Sequence, residues 1–174
     1  MRGYLTDKAN NSFYTPPEIG ALVRDCLGVI NLDPCSSGHP HQMDFLKAQK
    51  IFTEQDNALD KSWYGNVFMN PPYNGSLFDR FVVKLIQEST CGNVKSYITL
   101  CNNNTDRSRA NYLMKHAKAV VFTKGRISFY SLDESGEITP KCQNGRGQMF
   151  TYWGDNPDKF LTIFTMLGVG FRCV

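Results

Sequence analysis

The sequence has no apolar run approaching the roughly 18 residues that read as a membrane span. Its first eleven residues are polar and lack the apolar stretch of a signal peptide. These absences predict a soluble, cytoplasmic chain with no membrane partner. Histidine is scarce, at three copies, and the close pair His39 and His41 flanks a proline with too few ligands nearby for a zinc site, so it reads as a solvated loop. The six cysteines, at 26, 35, 91, 101, 142 and 173, form no CxxC pair. That spacing argues against a zinc ribbon or a thioredoxin-type site, and free thiols are expected in a reducing compartment. No metal is expected. Repeats, low-complexity tracts and linkers are absent too, so residues 1–174 read as one domain.

The 41% apolar content is that of a globular protein with a real core. Net charge is only +3, but it is unevenly spread. Residues 1–78 hold 6 basic and 8 acidic side chains, whereas 79–174 hold 13 and 8, so the two parts carry −2 and +5. Most of the excess falls in 106–146, where Arg107, Arg109, Lys115, Lys118, Lys124, Arg126, Lys141 and Arg146 face four acids. Such a segment suits a polyanion, although a solvated face has the same composition.

Tyr14 to Leu27 reads as a loop entering a helix, with Thr15 as N-cap, Pro16 at the first helical position and Glu18 near the positive end of the dipole. Val29 to Leu32 is a short strand ended by Asp33-Pro34, and Asn66 to Met69 is a second, stopped by Asn70-Pro71-Pro72. A helix follows with Ser76 as N-cap and Phe78, Phe81, Val82, Leu85 and Ile86 on one face. Ser96 to Leu100 is a strand, Arg107 to Lys115 a helix and Ala119 to Phe122 a strand. This alternation predicts an α/β sheet with crossover helices. Ile127 to Tyr130 and Gln148 to Trp153 flank a polar insert, 131–146, expected as an antiparallel excursion at the sheet edge. The Lys159 to Leu167 segment has helical period, limited by Gly168 and Gly170.

Open α/β sheets bind ligands beyond the carboxyl ends of their strands, where both proline-bearing loops fall. Asn70-Pro71-Pro72-Tyr73 carries the chemistry. An adenine amino nitrogen is a poor nucleophile because its lone pair is delocalised into the ring. Two acceptors, the Asn70 side-chain oxygen and the Pro71 carbonyl, can take its two hydrogens and stabilise the charge that develops on nitrogen. Consecutive prolines fix where that carbonyl points. Tyr73 offers a flat face to a base extruded from a duplex.

This loop resembles the [D/N/S]-P-P-[Y/F/W] motif of amino-methyltransferases. Tyr14-Thr15-Pro16-Pro17-Glu18 is similar to the Thr-Pro-Pro-Glu segment that precedes the cofactor motif in many N6-adenine methyltransferases. Leu32-Asp33-Pro34-Cys35-Ser36-Ser37-Gly38 resembles their cofactor loop, with Ser36 standing where glycine is expected. The order of the three segments also matches, and the chain is similar to the compact N6-adenine methyltransferases of the Dam family of phages and prophages over roughly residues 12–154. The likeness includes Asp56-Asn57-Ala58-Leu59 and Trp63 before the catalytic loop and Lys124-Gly125-Arg126-Ile127-Ser128-Phe129 after it.

The resemblance implies a Rossmann-like, S-adenosylmethionine-dependent methyltransferase sheet with helices on both faces and an antiparallel C-terminal edge. It implies S-adenosyl-L-methionine as cofactor and double-stranded DNA as partner, in a bacterial or phage-infected cell. Asn70, Pro71, Pro72 and Tyr73 are then catalytic. Tyr14, Thr15, Pro16, Asp33, Pro34, Cys35 and Ser36 are expected at the cofactor, with Asp33 on the methionyl amine and Asp56 as an acid on the cofactor side. Asp56 capping a turn is the plainer alternative. Arg107, Arg109, Lys124, Arg126 and Arg146 are expected to contact DNA, and the 131–146 insert to read its sequence. Other readings stay open: a catalytically inactive DNA-binding homologue, or an amino-methyltransferase acting on RNA or on protein glutamine. Pro34-Cys35 also matches the nucleophilic dipeptide of cytosine-C5 methyltransferases, but it occupies the cofactor-loop position. The sequence leaves the oligomeric state and the target site open.

Overall fold

A computed structural model describes residues 13–73, 75–133, 135–141 and 145–173. In chain order the elements are α1 (Pro17–Leu27), β1 (Leu32–Asp33), α2 (Pro40–Leu46), β2 (Lys50–Ile51), β3 (Gly65–Met69), α3 (Gly75–Thr90) and β4 (Val94–Asn102). They continue with α4 (Ser108–His116), β5 (Ala119–Thr123), β6 (Phe129–Leu132), β7 (Ile138–Lys141), β8 (Gln148–Trp153), α5 (Pro157–Phe164) and β9 (Gly168–Arg172). Seven strands make the main sheet in the order β2-β1-β3-β4-β8-β5-β9, and β6 and β7 form a separate antiparallel hairpin.

The strands β2, β1, β3 and β4 are mutually parallel. β8 enters antiparallel between β4 and β5, and β9 closes the far edge antiparallel to β5. Alternation along each strand divides the core. Val67 and Met69 of β3, Tyr97 and Cys101 of β4 and Met149 of β8 pack with α3 and α4 on one face. Phe68, Ile98, Leu100, Phe150 and Tyr152 pack with α1, α2 and α5 on the other. The expected α/β sheet with helices on both faces and an antiparallel C-terminal edge is therefore present.

Several expectations change. Gln148 to Tyr152 are all buried, so β8 lies inside the sheet, not at its edge, and Thr99 and Thr151 share a hydroxyl hydrogen bond of 2.6 Å across the β4–β8 pair. Pro16 occupies the N-cap position of α1 without a side-chain bond, Pro17 begins the helix, and Thr15 is therefore not the cap. α3 starts at Gly75, which places Ser76 within its first turn. His39-Pro40-His41 is not a loop: Pro40 opens α2, and the His39 ring accepts from the His41 amide at 3.4 Å. After α5 a single 3-10 turn, Thr165–Leu167, leads into β9, and a side chain at Gly168 would collide with the Phe122 carbonyl of β5. Those terminal glycines permit strand pairing. Of the expected free thiols, Cys26, Cys35, Cys91, Cys101 and Cys173 are free, and Cys142 lies outside the described residues, as do 134 and 143–144 of the polar insert.

From β1 the chain runs through α2 to β2 on one side, then returns past β1 to place β3 on the other. A crevice opens at such a reversal, at the carboxyl ends of β1 and β3. The 34–38 and 70–73 loops stand on its two rims.

Candidate active site

The crevice is a cleft of about 860 Å³, within the usual range for a small-molecule site. One wall is Pro34, Cys35, Ser36 and Ser37 after β1, backed by Gln42 of α2. A second is Phe52, Thr53, Glu54, Asn57, Ala58 and Leu59 after β2, and a third is Asn70, Pro71, Pro72 and Tyr73 after β3. Phe13, Leu77 and Phe81 complete it. Tyr14, Thr15, Pro16, Asp33 and Asp56 do not line it.

Asp33 is nearly fully buried, and its two oxygens accept from the Cys35 amide at 3.0 Å and the Gln42 side chain at 3.3 Å. It shapes the turn from beneath. Burial pushes its carboxyl up to about 7, against the pull of those two donors. Ser36 is recruited in the same turn: its amide donates to the Phe52 carbonyl at 3.0 Å, and its hydroxyl accepts from the Gly38 amide at 3.1 Å. The Ser36 main chain thus ties the β1 loop to the end of β2, and its hydroxyl, which a glycine would lack, closes the turn onto Gly38. The Cys35 thiol is pushed up, first by burial and then by the charge of Asp33. That is the reverse of what a thiolate nucleophile requires.

At the end of β2, Thr53 and Asp56 form a reciprocal cap, with one Asp56 oxygen accepting from the Thr53 amide and hydroxyl, each at 2.8 Å. Those bonds hold the Asp56 carboxyl below its ordinary range. Asp56 therefore closes a turn, and the acid on the cleft wall is Glu54. Glu54 follows Asp33 by about twenty residues, the interval at which open α/β folds place a ribose-binding acid at the end of the second strand. That spacing was the available signal. Trp63, fully buried, donates from its indole to the Ala58 carbonyl at 2.8 Å and so fixes the wall above.

The Asn70 amide is oriented from both ends. Its nitrogen donates to the hydroxyl of Thr15, fully buried, at 3.3 Å, and its oxygen accepts from the Tyr73 hydroxyl at 3.0 Å. Tyr73 leaves 37% of its surface exposed while its hydroxyl points inward, 3.2 Å from the side-chain oxygen of Gln148. Burial pushes the phenol well above its ordinary value, so it stays protonated. Tyr73 also borders a small second cavity with Gly75, Phe78, Asn102, Asn104 and Arg107. Gln148 is invisible to motif reading; its trace in the sequence is a polar side chain opening a largely apolar buried strand.

The expected cations gather at the same edge of the sheet. Arg107 follows β4, Lys124 and Arg126 follow β5, and Arg146 precedes the antiparallel β8, so all four sit on loops at the carboxyl end of β3 and β4. They are exposed. Arg109 lies within α4, 3.9 Å from the Asp79 carboxylate of α3 and over the Tyr112 ring. The β6–β7 hairpin is fastened beside the cleft by paired backbone bonds between Tyr130 and Tyr14, at 2.8 and 3.0 Å. Among the described residues no helix is long and apolar enough to cross a membrane, and no cluster of three metal-ligating side chains occurs.

A mixed sheet with a cleft at its point of reversal and an Asn-Pro-Pro-Tyr rim is the architecture of an α/β methyltransferase. The chain belongs to the DNA N-6-adenine-methyltransferase (Dam) family, whose model matches residues 3–166. The methyl donor of that family is S-adenosylmethionine. Among solved structures, the chain is similar to a SAM-dependent O-methyltransferase from Thermotoga maritima, at 8% identity and TM-score 0.48, over 83% of this chain and 68% of that one. It is similar to a putative RNA methyltransferase from Pyrococcus horikoshii, at 12% identity and TM-score 0.49, over 89% and 92%. A precorrin-6y C5,15-methyltransferase from Geobacter metallireducens aligns at 12% identity and TM-score 0.42, over 83% and 91%. No curated protein matches the chain in sequence.

Proposed function

We propose that this protein methylates the N6 amino group of adenine in double-stranded DNA, acting on a base swung out of the helix. The observation that carries the reading is the Asn70–Tyr73 loop: it lines the cleft formed by the β1 and β2 loops, with its asparagine amide held at both ends. The cleft suits the methyl donor. Phe52 and Leu59 offer apolar surface to an adenine, Glu54 an acceptor for ribose hydroxyls, and the 34–37 loop a small-residue edge for the methionyl end. S-adenosylmethionine, when bound there, supplies the electrophilic methyl group.

The chain's own residues prepare the nucleophile. The Asn70 oxygen and the Pro71 carbonyl accept the two amino hydrogens, which draws the nitrogen toward a pyramidal form with its lone pair aimed at the methyl. Thr15 fixes the asparagine so that oxygen, not nitrogen, faces the base. Tyr73 stacks on the base plane. Asp33 acts from beneath the cofactor loop, and Asp56 holds the turn that presents Glu54. Arg107, Lys124, Arg126 and Arg146 hold phosphates around the mouth, and the β6–β7 hairpin, which overlaps the 131–146 insert, reads the flanking sequence. Residues 1–174 work as one catalytic unit.

The test is transfer of a labelled methyl group to DNA, RNA and protein in parallel, followed by hydrolysis to nucleosides and amino acids. N6-methyladenine from duplex DNA is the expected product. Label confined to RNA or to glutamine would overturn the choice of substrate, and no transfer to any of them would overturn the enzymatic reading.

A further inference from the structure

Two side-chain oxygens converge on one hydroxyl proton in this site. The Tyr73 hydroxyl lies 3.0 Å from the Asn70 oxygen and 3.2 Å from the Gln148 oxygen. A phenol has a single hydrogen to donate, so only one of the two carbonyls receives it fully at any moment.

Neither oxygen can turn away, because each amide is pinned through its nitrogen. Asn70 donates to Thr15, as described. Gln148, fully buried, donates to the Asn102 side-chain oxygen at 2.8 Å and to the Arg146 carbonyl at 3.3 Å. Its backbone is also clamped: the Thr123 hydroxyl donates to the Gln148 carbonyl at 3.1 Å. Anchoring of β8 therefore uses the Gln148 nitrogen and main chain, which leaves its oxygen for Tyr73 alone.

Resting on the reading of Asn70 as an acceptor for the adenine amino group, we infer that Gln148 is a positioning residue that takes the Tyr73 proton off Asn70 when the base arrives. With the phenol donating to it, the Asn70 oxygen is a weaker acceptor for a second hydrogen. Rotation about the Cζ–Oη bond of Tyr73 moves the hydrogen to Gln148, breaks no covalent bond and leaves the ring in place to stack. The Asn70 oxygen is then free to bind the amino hydrogen, and the Tyr73 hydroxyl keeps a hydrogen-bond partner in Gln148. Gln148 touches neither base nor cofactor in this scheme. It acts through Tyr73.

The consequence is an interaction between positions 73 and 148 that mere packing would not produce. Without a phenol to redirect, the Gln148 oxygen has no task, and only the anchoring by its nitrogen remains. The experiment is a double-mutant cycle on the full chain with Gln148→Met, Tyr73→Phe and the pair, read as single-turnover methylation of duplex DNA, with cofactor affinity and thermal melting measured for each. With Tyr73 present, Gln148→Met is expected to slow methyl transfer about tenfold or more while cofactor affinity holds. In the Tyr73→Phe background, the same substitution changes the rate less than about twofold relative to Tyr73→Phe alone. Equal losses in both backgrounds would mean that Gln148 only supports the fold, and no loss with Tyr73 present would mean that Asn70 needs no relief; either result overturns the assignment. Wild-type protein is the reference arm. If it makes no N6-methyladenine, the functional reading fails and this inference with it, whereas a productive wild type with a flat cycle removes the inference alone.

Discussion

The Asn70 side chain donates to the Thr15 hydroxyl at 3.3 Å, joining positions 55 residues apart. Thr15 is fully buried and stands behind the cleft wall, and in the proposed function it aims the amide. Thr15→Val keeps shape and removes the acceptor, leaving the Asn70 nitrogen without a partner at a cost of about 1–3 kcal/mol. Every 1.4 kcal/mol or so in the transition state is about tenfold in rate. Single-turnover methylation by Thr15→Val should therefore fall roughly ten- to a hundredfold, and Asn70→Ala further. Cofactor titration of both variants should match wild type, and a parallel loss of affinity would return Thr15 to the cofactor side.

Glu54 and Asp56 make a contrasting pair two residues apart. Glu54 lines the cleft, whereas Asp56 spends one oxygen on both donors of Thr53. Glu54→Gln should weaken S-adenosylmethionine by about tenfold or more, since a hydrogen bond to a charged group is worth roughly 1.5–3 kcal/mol. Asp56→Asn should leave affinity within about twofold and act, if at all, on melting temperature. Calorimetric titration of both variants decides, and the opposite ranking would make Asp56 the cofactor acid.

Asp33 gives the site a pH dependence with a definite sign. Its carboxyl holds a proton up to about pH 7 in the fold, while the unfolded chain releases it near pH 4. Between those values the folded state binds more protons, so this group's contribution to stability falls as pH rises from about 4 to 7. Affinity for a cationic ligand runs the other way, strengthening as Asp33 ionises through about pH 7. Asp33→Asn should flatten both trends. Melting curves and cofactor titrations from pH 5.5 to 8 would show it, and wild-type affinity independent of pH would remove the charge of Asp33 from ligand binding.

The cations at the carboxyl edge predict how binding responds to salt. Each phosphate contact contributes about −0.9 to the slope of log affinity against log salt on duplex DNA. Charge reversal at Arg107, Lys124 and Arg126 together should flatten that slope by roughly 2 to 3. Arg109→Glu should change it least, because Arg109 already sits beside Asp79 and Tyr112. Fluorescence anisotropy across a salt series measures both, and an unaltered slope in the triple variant would place the nucleic-acid face elsewhere.

The sequence by itself determined the elements whose signals are local. Asn66 to Met69 is a short apolar run that stops at Asn70 and two prolines, which is enough to define β3 and the loop after it. The spacing of Phe81, Val82, Leu85 and Ile86 defines the buried face of α3. Asn70 and Tyr73 were legible for the same reason, since motif and context are contiguous. Even the turn formed by Asp56 is a local pattern, a threonine three residues before an acid. The two-residue strands β1 and β2 are too short for periodicity to set their bounds, and α2 hid behind a segment that reads as loop.

What only the tertiary structure decided is which distant segments meet. Strand order is set by long-range pairing, so nothing near Gln148 announces that β8 inserts between β4 and β5 and brings that glutamine to Tyr73. Thr15 reads equally well as a cap or a ligand until the fold puts it behind Asn70. Asp33 reads as a carboxylate at a strand end, expected on the methionyl amine, and only the fold shows that it is buried, with its pKa raised and its oxygens turned toward Cys35 and Gln42. In each case a polar side chain took the partner that burial left within reach, because a buried donor or acceptor without one costs more than most local preferences are worth.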